Sequence, residues 1–77
     1  MEAKRRVLQY VAEAQLVDSS ELADALGYTL AGAASTLLRF HRHGHLLRRR
    51  RWDGAGFEYE LSEKGEGWLR WAEGRSR

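Results

Sequence analysis

The 77-residue sequence has no cysteine and no proline. The first absence excludes disulfides, thiolate catalysis and cysteine-based zinc sites. The second leaves glycine as the only strong local punctuation. No apolar run approaches the ~20 residues that a membrane-spanning helix requires. The start, Met1-Glu2-Ala3-Lys4-Arg5-Arg6, lacks the apolar stretch and small-residue cleavage site of a secretory signal. Neither a G-x-G-x-x-G loop nor a Walker pattern occurs, and no nucleophile motif surrounds any serine. These gaps argue against an enzyme and for a cytoplasmic binding module that needs no cofactor and makes no contact with membranes. At 43% hydrophobic and 31% charged residues, the chain reads as one folded domain over 1–77 rather than a disordered tail. So short a domain buries only ~60% of its unfolded surface, which makes a homodimer an expectation.

What the chain does have is a concentrated positive charge. Residues 1–38 hold three basic and five acidic side chains, and residues 53–77 hold four basic and six acidic. Between them, residues 39–52 carry Arg39, Arg42 and Arg48 to Arg51, three histidines and no acid. A surplus confined to one block points to a local polyanion contact.

Around this block the pattern predicts four helices and a hairpin. In segment 2–14, Val7, Leu8, Val11 and Ala12 form one apolar face. Leu16-Val17 suits a stub of extended chain. Asp18-Ser19-Ser20-Glu21 is a capping-box sequence, opening a helix that buries Leu22, Ala23 and Leu26 and stops at Gly27. Thr29 is the next N-cap candidate, for a helix running to about His43 with Ala33, Leu37 and Phe40 inward. Gly44 ends it. An extended stretch from Leu46 to Trp52, a turn Asp53-Gly54-Ala55-Gly56 and the alternating Phe57, Tyr59 and Leu61 read as an antiparallel hairpin. Ser62 caps a last helix with Trp68, Leu69 and Ala72 inward, weakened by Gly65 and Gly67 at ~1 kcal/mol each. The tail from Glu73 is expected to fray.

Two helices joined around a glycine make a helix-turn-helix arrangement. Three stretches then carry a family likeness: Glu21-Leu22-Ala23-Asp24-Ala25-Leu26-Gly27, Gly44-His45-Leu46-Leu47, and Tyr59-Glu60-Leu61-Ser62-Glu63-Lys64-Gly65. In this order and spacing the chain resembles, over nearly its whole length, the winged helix-turn-helix domain of prokaryotic transcriptional regulators of the MarR, PadR and ArsR type. The resemblance implies a mainly α fold with a small β-hairpin wing (α+β), built as a three-helix core plus a C-terminal helix. It implies duplex DNA as partner, the helix over 29–43 in the major groove, Thr29 near a phosphate, and Ala31, Gly32, Ser35, Thr36 and Arg39 facing outward. It also implies dimerisation through the terminal helices, to which Tyr10 and Trp71 would contribute.

The outward face departs from that pattern, since it lacks the Lys, Gln and Asn that, with Arg, read base edges bidentately. Two readings stay open. Small side chains let the helix sit deep, so that shape, backbone contacts and Arg39 carry recognition; or the same small apolar face receives a protein partner.

The candidate phosphate ligands are Arg42, Arg48, Arg49, Arg50 and Arg51, whose guanidinium forks match phosphate geometry. If Trp52 pairs with Phe57, then Arg51 opposes Glu58 and Arg49 opposes Glu60, while Arg48 and Arg50 share a face with Trp52 and Tyr59. His41, His43 and His45 fall within five residues, but Gly44 interrupts the helix and no carboxylate completes a metal set. Their place at a helix C-terminus suits capping or phosphate-facing roles.

Overall fold

The computed structural model describes residues 2–54 and 56–75. The elements run α1 (Glu2–Ala14), α2 (Ser19–Leu26), α3 (Leu30–Arg42), β1 (Leu46–Arg50), β2 (Phe57–Leu61) and α4 (Glu63–Arg75). The chain is thus mainly helical, with four helices and one two-stranded antiparallel hairpin.

The local signals act as their chemistry requires. Asp18 Oδ1 accepts the Glu21 amide at 2.8 Å while Glu21 Oε1 accepts the Asp18 amide at 3.0 Å, closing the capping box. Gly27 ends α2 at φ +77°, the left-handed region, and its amide donates to the Ala23 carbonyl. Two residues later Thr29 starts α3, its Oγ1 accepting the Gly32 amide at 3.0 Å. A Cβ on Gly32 would lie 3.0 Å from that hydroxyl, so the glycine leaves the cap its room.

Val7, Leu8 and Val11 of α1, Leu22 of α2, and Ala33, Leu37 and Phe40 of α3 bury into one core with Leu46, Tyr59 and Leu69. Fully burying one of the valine, leucine or phenylalanine side chains contributes about 1.5–3 kcal/mol. Val17 joins the core and also bonds Tyr59 in both directions, N–H to O at 2.9 Å and O to N–H at 2.8 Å. The stub after α1 therefore covers the β2 edge that β1 leaves open.

Several expectations are corrected. Where a frayed tail is expected from Glu73, α4 continues to Arg75; Met1, Ala55, Ser76 and Arg77 lie outside the described residues. Gly65 is not a weak point in a helix. It is buried, and a Cβ there would come 2.3 Å from the His45 carbonyl oxygen and 2.7 Å from Leu61 Cδ1. Its missing side chain lets α4 dock on the α3–β1 turn, where Ser62 Oγ donates to the Gly44 carbonyl at 2.6 Å and accepts the Gly65 amide at 3.0 Å. Among the described residues no helix is long and apolar enough to cross a membrane.

Candidate nucleic-acid interface

Helix geometry decides what α3 shows to solvent. Its inward line is Ala33, Leu37 and Phe40, and Ala31, Ala34, Ser35, Arg39 and Arg42 are exposed. Thr36, expected outward, retains only 9% exposure. It stands three residues after Ala33 and four before Phe40, the spacing that puts it on their face. Thr36 is thus removed from the set of surface contacts. Thr29 is exposed but its hydroxyl already serves as the cap acceptor. The Arg39 guanidinium lies 5.1 Å from the Phe40 ring centroid.

In the hairpin, Leu46 pairs with Leu61, Leu47 with Glu60, Arg48 with Tyr59, Arg49 with Glu58 and Arg50 with Phe57. The pairing is shifted by two residues from the one expected, because the chain reverses over residues 51–56 and leaves Trp52 outside the ladder. A shift of two preserves the side of every side chain, since the pleat repeats every two residues. The face that is core at Leu46 and Tyr59 therefore opens to solvent at Arg50 and Phe57. There the guanidiniums of Arg48 and Arg50 lie 4.3 and 5.3 Å from the Phe57 ring centroid. On the other face Arg49 Nε reaches Glu58 Oε1 at 3.9 Å, the outer limit of an ion pair, and is well exposed.

Arg51 differs from the other arginines of this block. It does not oppose Glu58. Its Nη1 donates to Asp18 Oδ2 at 2.5 Å and its Nε to Asp53 Oδ1 at 3.4 Å. Asp18 thus caps α2 with one oxygen and holds the hairpin end with the other. The hydrogen bond and charge of Asp53, with smaller contributions from Asp18 and Glu58, raise the Arg51 pKa above its ordinary value.

The histidines do not converge. His41 Nδ1 donates to the Leu46 carbonyl at 3.0 Å and its ring meets Tyr59 edge-on. His43 caps α3, and its carbonyl accepts Lys64 Nζ at 2.7 Å. His45, 7% exposed, packs edge-on to Trp68, and its Nδ1 has no hydrogen-bond partner among the described residues. Burial first, then the charges of Lys4, Lys64 and His43, hold its pKa below the usual histidine value. Among the described residues no group of three potential ligands is placed to hold a metal.

A groove of about 480 Å³ between α1, β2 and α4 is lined by Glu60, Glu66 and Glu73 with one Arg70, over Val11, Leu61 and Leu69. None of the central arginines reaches it. Of the terminal-helix pair, Tyr10 is half-buried against the core, whereas Trp71 is 48% exposed and carries the Arg75 guanidinium 5.0 Å from its ring.

No family model, curated protein or solved structure matches the chain. The site is therefore read from its own chemistry. Four arginines on neighbouring elements, Arg39 and Arg42 of α3 and Arg48 and Arg50 of β1, are exposed and enter no ion pair among the described residues. Such a set can donate to several phosphate oxygens without first breaking an ion pair. Sequence reasoning had missed the tie between Asp18 and Arg51, residues 33 apart, for which the capping box gives no hint. It also assigned Trp52 to the strand. The turn was read from Asp53, whereas the chain leaves the ladder after Arg50 and turns over Arg51-Trp52-Asp53-Gly54.

Proposed function

We propose that the chain is a winged helix-turn-helix module that binds duplex DNA mainly through backbone phosphates, as a small transcriptional regulator. In this reading α3 lies along the major groove and the β1–β2 hairpin is the wing. The observation that carries it is the set of four exposed arginines, Arg39, Arg42, Arg48 and Arg50, that enter no ion pair among the described residues, together with a helix face of Ala31, Ala34 and Ser35. Small side chains favour close approach of the helix, and the charges supply affinity that depends little on sequence. Arg39 and Ser35 are the residues of α3 left to touch base edges, so discrimination in an isolated domain is shallow and rises when two half-sites are read together.

A gel-shift titration with duplex DNA across a salt series tests this. Log affinity should fall with log salt at ~0.9 per neutralised phosphate. The double variant Arg48→Ala/Arg50→Ala should lower that slope by about 2 and weaken all sequences alike. No shift at ~50 mM salt with tens of micromolar protein removes the proposal, because non-specific binding alone reaches 10⁻⁴–10⁻⁶ M at higher salt.

One observation favours a second reading, a protein-interaction surface on the same helix: Leu30 is 60% exposed at its start, next to Ala31. Leu30→Gln distinguishes the two, because it removes the apolar contact without bringing a negative charge to α3. It should leave the salt slope for DNA nearly intact if the first reading holds, and abolish a protein contact if the second does.

A further inference from the structure

Trp52 is the most exposed large hydrophobic side chain of the described residues, at 91%. Among the described residues no ring or cation contact uses it; the neighbouring guanidiniums of Arg48 and Arg50 lie over Phe57 instead. Scattered surface apolar residues are ordinary, but the mount of this one is not. The Gly54 amide donates to the Arg51 carbonyl at 3.0 Å, and the Arg51 amide to the Gly56 carbonyl at 3.0 Å. Trp52 is therefore the first corner of a closed turn, Arg51-Trp52-Asp53-Gly54. That turn is braced twice more by the Arg51 side chain, to Asp53 within it and to Asp18 at the start of α2. A large flat π-face stands on a braced turn, just past a strand that ends in three cationic side chains, Arg48 to Arg50.

We propose that Trp52 is a stacking wedge: at the hairpin tip it packs on the face of an unstacked base in duplex DNA, while Arg48 and Arg50 hold the flanking phosphates. This rests on the DNA reading above and adds to it a preferred substrate, a duplex with a base step that is unpaired or easily opened. Aromatic wedges at such steps offset the cost of unstacking with contact area, and a base already unpaired removes most of that cost. Arg51 is then a positioning residue, holding the turn against α2 so that the ring is presented without an ordering penalty.

The test compares a ~20-base-pair duplex with the same duplex carrying one unpaired central base. Removing one base–aromatic stack lowers affinity roughly 5- to 150-fold. Wild-type protein should prefer the bulged duplex by at least about 5-fold on that scale, Trp52→Ala should bind both equally, and Trp52→Tyr should keep the preference. The thermal melt of Trp52→Ala should match wild type, because the side chain is exposed. Emission of wild type minus that of Trp52→Phe isolates this indole from Trp68 and Trp71, and should be quenched at saturating bulged duplex. A Trp52→Ala protein that retains the preference, or an unquenched Trp52, overturns the inference. So does emission that shifts on phosphatidylcholine vesicles and not on DNA, which would make the indole an interfacial lipid contact. If wild type binds neither duplex, the DNA reading itself fails; if it binds both and Trp52→Ala is indistinguishable, only the wedge does.

Discussion

Two glycines of α4 stand two residues apart, and alanine at each should move stability in opposite directions. At Gly67 the nearest atom to an added Cβ is Arg70 Nη2 at 3.9 Å, the movable end of a flexible side chain. Alanine there gains the intrinsic helix preference of about 1 kcal/mol and loses nothing. At Gly65 the same preference meets the His45 carbonyl oxygen at 2.3 Å. Ordinary contact would require that distance to grow by about 1 Å, and backbone cannot swing aside as a side chain does. The His45 oxygen also accepts the Ser62 amide at 3.1 Å, and Ser62 bonds the Gly44 carbonyl, so a shift strains both bonds. Overpacking of this kind costs about 1–3 kcal/mol, sometimes more, and a bond lost in the same region about 1 kcal/mol. Set against the helix gain, Gly65→Ala should destabilise by roughly 2 kcal/mol, lowering Tm by about 8–16 °C in a domain of this size. Thermal and urea unfolding of the two single variants measure this directly. A Gly65→Ala protein as stable as Gly67→Ala would refute the argument that α4 docks through the missing side chain.

Stability should also depend on pH through His45. Its folded pKa is depressed, by burial and then by Lys4, Lys64 and His43, so the unfolded chain binds the proton more readily. The stability is fully present above the unfolded value of about 6.5 and falls as pH drops below it toward the folded value. A series of melts from pH 7.5 to 5 should show this loss, and His45→Phe should flatten it. Asp18→Asn keeps an acceptor for the Glu21 amide but removes the charge opposite Arg51. Asp18→Ala removes both, and should cost about 1 kcal/mol more than Asn, the usual worth of an N-cap, in urea titrations. Self-association through α1 and α4 should rest on Trp71, because Tyr10 already packs on its own core. Sedimentation at ~100 μM, far above a micromolar dissociation constant, should show a dimer that Trp71→Ala dissolves.

The helices and hairpin were legible in the sequence because their signals are local. The capping box at Asp18, the left-handed Gly27 and the Thr29 cap each act within four residues, and each forms as spaced. The alternation of Phe57, Tyr59 and Leu61 likewise fixed which side of the hairpin each residue takes. It did not fix the register, because shifts of two satisfy the same alternation and only the turn chooses among them. Gly65 shows the complementary failure. Intrinsic preference marks it as a weak helix residue, and only the approach of the His45 carbonyl, twenty residues earlier in the chain, gives the reason a glycine is there. The role of Arg51 was hidden for the same cause: a run of four arginines carries nothing that singles out the one whose partner is Asp18.

That distinction changes what the basic block can do. Counted from the sequence, residues 39–52 offer six arginines to phosphates, which would give a salt slope of about 5.4 if all engaged. In the folded chain Arg51 is committed to Asp18 and Asp53, and moving it to a phosphate would release the hairpin end from α2 and leave the cap carboxylate unpaired. Arg49 leans on Glu58, although at 3.9 Å that hold is weak, and exposed pairs of this kind contribute only about 0–1 kcal/mol. Arg39, Arg42, Arg48 and Arg50 enter no ion pair among the described residues, and four phosphates correspond to a slope of about 3.6. The two counts are far enough apart for a salt titration to separate them. Replacement of Arg51 completes the argument. If it is a strut, Arg51→Gln should weaken DNA binding without reducing the salt slope, because the number of neutralised phosphates is unchanged while their placement is loosened. A slope that falls by about 0.9 would instead make Arg51 a phosphate ligand, and its bond to Asp18 a resting arrangement that DNA displaces.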